Sequence, residues 1–178
     1  MPETFICIAS GPSLTAKDCQ LLPDSGYPII AVNSSWALCP KCHHIYAADF
    51  GWWEKYHGDI PSGAQRWTSS VSAAHRYGLN YFPHTDSESF NSGLRAIELA
   101  TALNARRILL VGYDCSLSRG IHWHGPHTGL SNPTPDSVAA WHREYGRTAA
   151  ALAGVEVINC SRYTELEAFP YGRLEDYL

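Results

Sequence analysis

The sequence predicts an α/β domain with a mainly parallel sheet, on three observations. Short apolar runs alternate with helical segments along the whole chain. Two of the runs, RILLVG (107–112) and PIIAVN (28–33), are almost continuously apolar, as strands covered on both faces are. No repeat, low-complexity tract or composition break divides the 178 residues. A single domain, 1–178, is therefore expected, with a C-terminal tail (161–178) packed on it.

The strands expected in order are TFICIA (4–9), PIIAVN (28–33), HIYAA (44–48), LNYF (79–82), RILLVG (107–112) and VEVINC (155–160). Trp52 and Trp53 open a helix after the third; one of them walls a pocket, or both simply bury area. In SGLRAIELATALNA, after the opening Ser92, only Arg95, Glu98, Thr101 and Asn104 are polar. They fall on one narrow stripe, so this helix is expected to be largely buried. SVAAWHREYGRTAAALAG is amphipathic, with Val138, Trp141, Tyr145 and Leu152 on one side. Asp136 or Ser137 is the expected N-cap, and Gly154 the expected C′ residue.

A hydrophobic fraction of 45% and a charged fraction of 17% are those of an ordinary globular chain. The net charge of −4 gives no global basic field for nucleic acid or an anionic membrane. The opening MPETFICIAS has neither a basic start nor a long apolar stretch. No signal peptide or membrane anchor is read there, and a cytoplasmic location is expected. Six cysteines in such a chain argue for free thiols. CPKC (39–42), with His43 and His44, has the spacing of half a zinc site; its competing reading is a plain turn before a strand.

In parallel sheets ligands bind beyond the carboxyl ends of the strands, so the loops there hold the candidates. After the first strand, SGPSLT offers Gly11, Pro12 and Ser13 as an anion-binding turn, with Ser13 or Thr15 to cap a short helix. Asn33 ends the second strand, where it reads a base or ribose edge or closes an Asx-turn. Asp49 ends the third. Asn91, Ser92 and Gly93 begin the buried helix, either as a second anion cradle or as plain N-capping. Asp114 follows the strand RILLVG, and Arg119 and Arg162 are further rim candidates for phosphate.

The loop GIHWHGPHTGLSNPTPDS places His122, His124 and His127 within six residues. Three readings compete. The histidines, with Asp114, hold a Zn, Mn or Fe ion. Or they act as acid and base beside a nucleotide pocket, with His124 and His127 ahead of His122. Or they bond the backbone of an irregular loop. HWHGPH faintly resembles the HxHxDH loop of metallo-β-lactamase-type hydrolases, with Pro126 in place of the Asp and the rest of that pattern absent. His75 and His142 lie on helical segments and read as surface or packing residues.

The order GPSL, AVN, NSGLRAIELATALNARRILLVGYD resembles a Rossmann-like superfamily of three-layer domains. It includes bacterial sialyltransferases of the Campylobacter type, motility-associated-factor glycosyltransferases and 6-hydroxymethylpterin pyrophosphokinase-like proteins. HWHGPH…LSNP and VEVINCSR…TELEAFP look most like small phage and prophage proteins. The likeness runs from about Phe5 to Cys160. By that resemblance Gly11, Ser13, Asn33, Asp49, Ser92 and Gly93 line a nucleotide-sugar site, and a catalytic histidine lies in the loop of His122, His124 and His127. The chain is much shorter than the sialyltransferases, and Asp49 stands where they carry an amide.

The resemblance implies a small nucleotide- or nucleotide-sugar-binding transferase, glycosyltransferase-like, with no cofactor required. Its acceptor is a glycan or a modified nucleobase, and a homo-oligomer stays open. Two alternatives stand beside it. One is a metal-dependent phosphotransferase or hydrolase, with a divalent ion held by the histidines or by Asp49 and Asp114. The other is a phage accessory protein without turnover.

Overall fold

The computed structural model describes residues 3–61, 63–83, 91–130 and 132–178. Seven strands form one sheet: β1 (Glu3–Ile8), β2 (Ile29–Val32), β3 (His44–Tyr46), β4 (Gln65–Thr68), β5 (Asn80–Tyr81), β6 (Ala105–Val111) and β7 (Glu156–Asn159). All neighbours pair in parallel, in the order β5-β4-β3-β2-β1-β6-β7. The five helices are α1 (Ala16–Leu21), α2 (Phe50–Tyr56), α3 (Val71–Tyr77), α4 (Ser92–Ala102) and α5 (Pro135–Ala151).

This is the expected α/β architecture in three layers. Alternate strand residues point to opposite faces, and each face has its own core. On one, Ile6, Ile8, Ile29, Leu109 and Val111 meet Cys19 of α1, Trp52 and Trp53 of α2 and Ala73 of α3. On the other, Phe5, Cys7, Ile30, Ile108 and Leu110 meet Leu94, Ile97 and Ala100 of α4 and Tyr145 of α5. The tail after β7 joins both cores, through Leu166 and Phe169 on one face and Leu174 on the other. Arg162 ties it to α1 by a two-pronged bond to Asp18, both prongs 2.9 Å, and also bonds Glu175. Among the described residues no helix is long and apolar enough to cross a membrane.

The structure departs from the expectation in several elements. β4 was not expected: in QRWT only Trp67 is strongly apolar, and the strand carries one fully buried residue, Thr68. α4 ends at Ala102; Asn104 takes the left-handed conformation (φ 72°) and β6 starts at the next residue. Arg95 lies on the expected polar stripe of α4 yet is buried, paired with Glu98 at 3.0 Å. α5 is capped by Thr134, not by Asp136 or Ser137. Thr134 and Ser137 form a capping box, and Pro135 fills the first turn. Gly154 is not the C′ residue, because the helix is capped at Leu152; its positive φ of 73° serves the turn into β7.

The chain runs outward from β1 to β5 and then returns to place β6 on the other side of β1. β1 and β6 are therefore neighbours whose outgoing connections diverge. A crevice opens between such strands at their carboxyl ends.

Candidate functional site

A cavity of about 110 Å³ occupies that crevice. The ends of β1 (Ala9, Ser10, Gly11), β2 (Val32, Asn33) and β6 (Gly112 to Ser116) line it. The start of α4 (Asn91, Ser92, Gly93), Ile121 and His122 of the long loop, and Trp141 and Tyr145 of α5 complete the wall. Of the sequence candidates, it brings together Gly11, Asn33, Asn91, Ser92, Gly93, Asp114 and His122. Pro12, Ser13, Asp49, His124 and His127 lie outside the lining.

The turn after β1 is closed, not open to an anion as expected. The N–H of Gly11 donates to the carbonyl of Gly112 (2.9 Å). The N–H of Ser13 donates to Asp114 Oδ2 (3.0 Å), and its hydroxyl to Oδ1 (2.5 Å). Pro12 has no N–H to offer. Asp114 thus fills with its own carboxylate the place an anionic ligand would take. Its burial raises the carboxyl above the usual range, opposed by the Ser13 bonds and the Arg119 charge. A Cβ on Gly11 would stand 2.2 Å from Asp114 Oδ1 and 2.5 Å from the Gly112 carbonyl, so only glycine allows this closure. Thr15, not Ser13, caps α1 by accepting from Asp18 N–H.

The second cradle is only partly consumed. Asn91 caps α4, its Oδ1 accepting from Leu94 N–H (3.1 Å) and from the Tyr145 hydroxyl (3.2 Å). Its amide nitrogen reaches Glu144 Oε2 at 3.4 Å. The Ser92 hydroxyl accepts from Ala48 N–H (3.1 Å), tying α4 to the end of β3. The helix N–H groups ahead of Leu94, on Ser92 and Gly93, belong to residues that line the cavity. That is the positive end of an eleven-residue helix.

Asn33 stands out on two counts. It adopts φ 52°, the left-handed region that non-glycine residues rarely enter, and its Oδ1 is buried with no hydrogen-bond partner. Cys115, across the cavity, also has φ 52°. Two of the three non-glycine residues with positive φ among the described residues therefore lie on this rim. Backbone strain of this kind concentrates at ligand sites.

The loop between β6 and α5 is held from outside; its Ser131 lies outside the described residues. Trp123 N–H donates to the Ser10 carbonyl (3.0 Å) and its indole to Ser35 Oγ (3.3 Å). His127 N–H donates to Asn132 Oδ1 (2.7 Å), and Asn132 returns a bond to the His127 carbonyl (3.2 Å). Lys55 Nζ donates to the Thr128 carbonyl. Inside that frame the rings of His122, His124 and His127 lean together. Burial and the other two rings push His122 down to about 4. Burial lowers His124, helped by His127; burial lowers His127, helped by Lys55.

Most of the remaining candidates have structural partners; Asp49 makes no side-chain cap bond. Asp49 is at the N-cap position of α2, half-buried, with its carboxyl raised by burial. Arg162 is taken by Asp18 and Glu175, and Arg119 lies 4.1 Å from the Tyr163 ring centre. Trp52 and Trp53 are core residues; their indoles donate to Ser34 Oγ and the Ala47 carbonyl. His142 bonds the Cys115 carbonyl (3.0 Å) and His75 is exposed, as read from sequence.

The CPKC segment is a turn. Cys42 N–H donates to the Cys39 carbonyl (3.0 Å), while His43 Nδ1 accepts from Ile29 N–H and His44 Nδ1 from the Trp67 indole. All six cysteines are free and buried. Among the described residues no group of three or more His, Cys, Asp or Glu side chains is arranged to hold a metal ion.

Sequence reasoning missed the aromatic wall of Trp141, Tyr145 and Tyr113. The i, i+4 pair on α5 was visible, but as a packing stripe. No family model matches the chain, and neither the curated proteins nor the solved structures contain a match.

Proposed function

We propose that the protein is a small transferase that binds a nucleotide or nucleotide-sugar at the carboxyl edge of β1, β2 and β6. One observation carries the reading: Asn33 is held in a strained backbone conformation with a buried, unpartnered amide oxygen in the crevice wall. An acceptor so placed suits an N–H of a base or a ribose hydroxyl. The positive end of α4 at Ser92 and Gly93 suits the phosphate. The Trp141, Tyr113 and Tyr145 wall suits a flat apolar ring. The cavity takes a phosphate or part of a sugar, so the rest of a nucleotide extends over the rim toward His122.

Isothermal titration of nucleoside mono- and diphosphates tests this, with Asn33→Gly as the variant because glycine accepts the backbone conformation. One nucleotide binds, and Asn33→Gly weakens it by about tenfold or more. No binding across the panel, or equal binding by the variant, contradicts the reading. Turnover of a nucleotide-sugar bearing the preferred base then separates transfer from binding alone.

A further inference from the structure

We propose that His122, His124 and His127 form a three-imidazole site for a divalent transition metal, zinc foremost, at the wall of the cavity. Three features of the loop carry it. The ring centroids are 4.9 Å (His122–His124), 4.7 Å (His122–His127) and 4.8 Å (His124–His127) apart. With metal–nitrogen bonds of about 2.0–2.1 Å, three imidazoles in a tetrahedral shell place their ring centres roughly 5 Å apart. Next, one nitrogen of each ring, His122 Nε2, His124 Nε2 and His127 Nδ1, is shut off from solvent with no hydrogen-bond partner. Three such orphans side by side in one loop are costly, and a cation accepting three lone pairs removes the cost together. Finally, the loop is anchored by Trp123 and Asn132, so its backbone holds the three rings together without a metal.

As they stand, the three rings are not arranged to hold a metal ion. The spacing of their centres permits ring rotation to bring the three nitrogens toward one point, and that rotation is part of the proposal. The donor set selects the metal. Nitrogen ligands without a carboxylate suit zinc and its neighbours, not magnesium or calcium. Asp114, the nearest sequence candidate for a hard cation, is engaged by Ser13. Lys55 beside His127 opposes a cation, but its amine is drawn to the Thr128 carbonyl. Of the three rings only His122 also lines the cavity, so a metal here adjoins the proposed nucleotide site and leaves an open coordination position for water or ligand. Metal uptake does not require the nucleotide, and each is read by its own titration.

The test uses the full chain, free of any affinity tag, stripped with chelator and titrated with Zn²⁺ and with Co²⁺. Wild type takes up one zinc per chain by elemental analysis. With Co²⁺ it gives a visible d–d spectrum without a thiolate charge-transfer band. His122→Ala, His124→Ala and His127→Ala each weaken zinc by about 100-fold or more, while His75→Ala does not. Far-UV circular dichroism checks that the variants fold. His124→Cys guards against a loop that merely collapses: it retains cobalt and gains the thiolate band. Less than half a zinc per chain in wild type, or undiminished zinc in all three alanine variants, overturns the proposal. So does a thiolate band in the wild-type cobalt protein, which would place the metal on cysteine.

Discussion

Two loops flank the cavity with the same vocabulary of small polar residues, and the structure uses them in opposite ways. In the turn Gly11–Ser13 each backbone N–H and the serine hydroxyl has a partner, and Asp114 is the hub. In the loop of His122, His124 and His127 the backbone is just as firmly tied, but three ring nitrogens are buried without partners. Asn33, in the turn just past β2, sides with the histidines. A polar group after a strand is thus not a site by virtue of its position. What separates scaffold from site is whether its hydrogen-bonding capacity is met from within the chain.

The largest effect expected from this contrast is on the scaffold side. Asp114→Ala leaves the Ser13 N–H and hydroxyl without their partner in a half-buried turn and costs about 1–2 kcal/mol of stability, read from the denaturation midpoint. Asp114→Asn, which keeps one acceptor, costs less. Unchanged stability in Asp114→Ala would move Asp114 from the scaffold to the site. Asn33→Gly should behave in the opposite sense. Relief of the left-handed backbone stabilises the protein by up to about 1 kcal/mol, while ligand affinity falls. A variant that loses stability instead would show that Asn33 belongs to the scaffold.

The smallest effect lies away from the cavity, in the clamp of Arg162 on Asp18 and Glu175. Its hydrogen bond with Arg162 holds the Glu175 carboxyl down to about 2. Because the folded-state value lies below the usual 4.5, the contribution is complete above that pH and is lost as pH falls through about 2. Glu175→Gln should therefore flatten the acid limb of the stability profile across that window and leave nucleotide and zinc titrations unchanged. Glu175 is fully exposed, so the effect is small. An unaltered acid limb would mean that Glu175 adds nothing to the hold that the Arg162–Asp18 bond and Leu166, Phe169 and Leu174 give the tail.

Much of the fold was legible because burial writes itself into the sequence. RILLVG and PIIAVN announced covered strands, and they are the centre of the sheet beside β1. β4 was illegible because QRWT near the sheet edge buries too little to leave a pattern. The ends of α5 were misread since Thr134, Asp136 and Ser137 are all plausible caps, and only geometry chooses among them. The cavity lining was legible as a list, from Gly11 and Asn33 to Ser92, Gly93 and His122, because strand ends and helix starts are local features. Which residues were free to act was not legible. That depends on pairings such as Ser13–Asp114, 101 positions apart, and Arg162–Asp18, 144 apart.

Amide chemical shifts during titration with the preferred nucleotide test the contrast most directly. The account predicts large changes at Ser92 and Gly93 and at the Asn33 side-chain amide, with Gly11 and Ser13 nearly still. Changes led by Gly11 and Ser13, with Ser92 and Gly93 unmoved, would place the anion on the turn that Asp114 closes and contradict it.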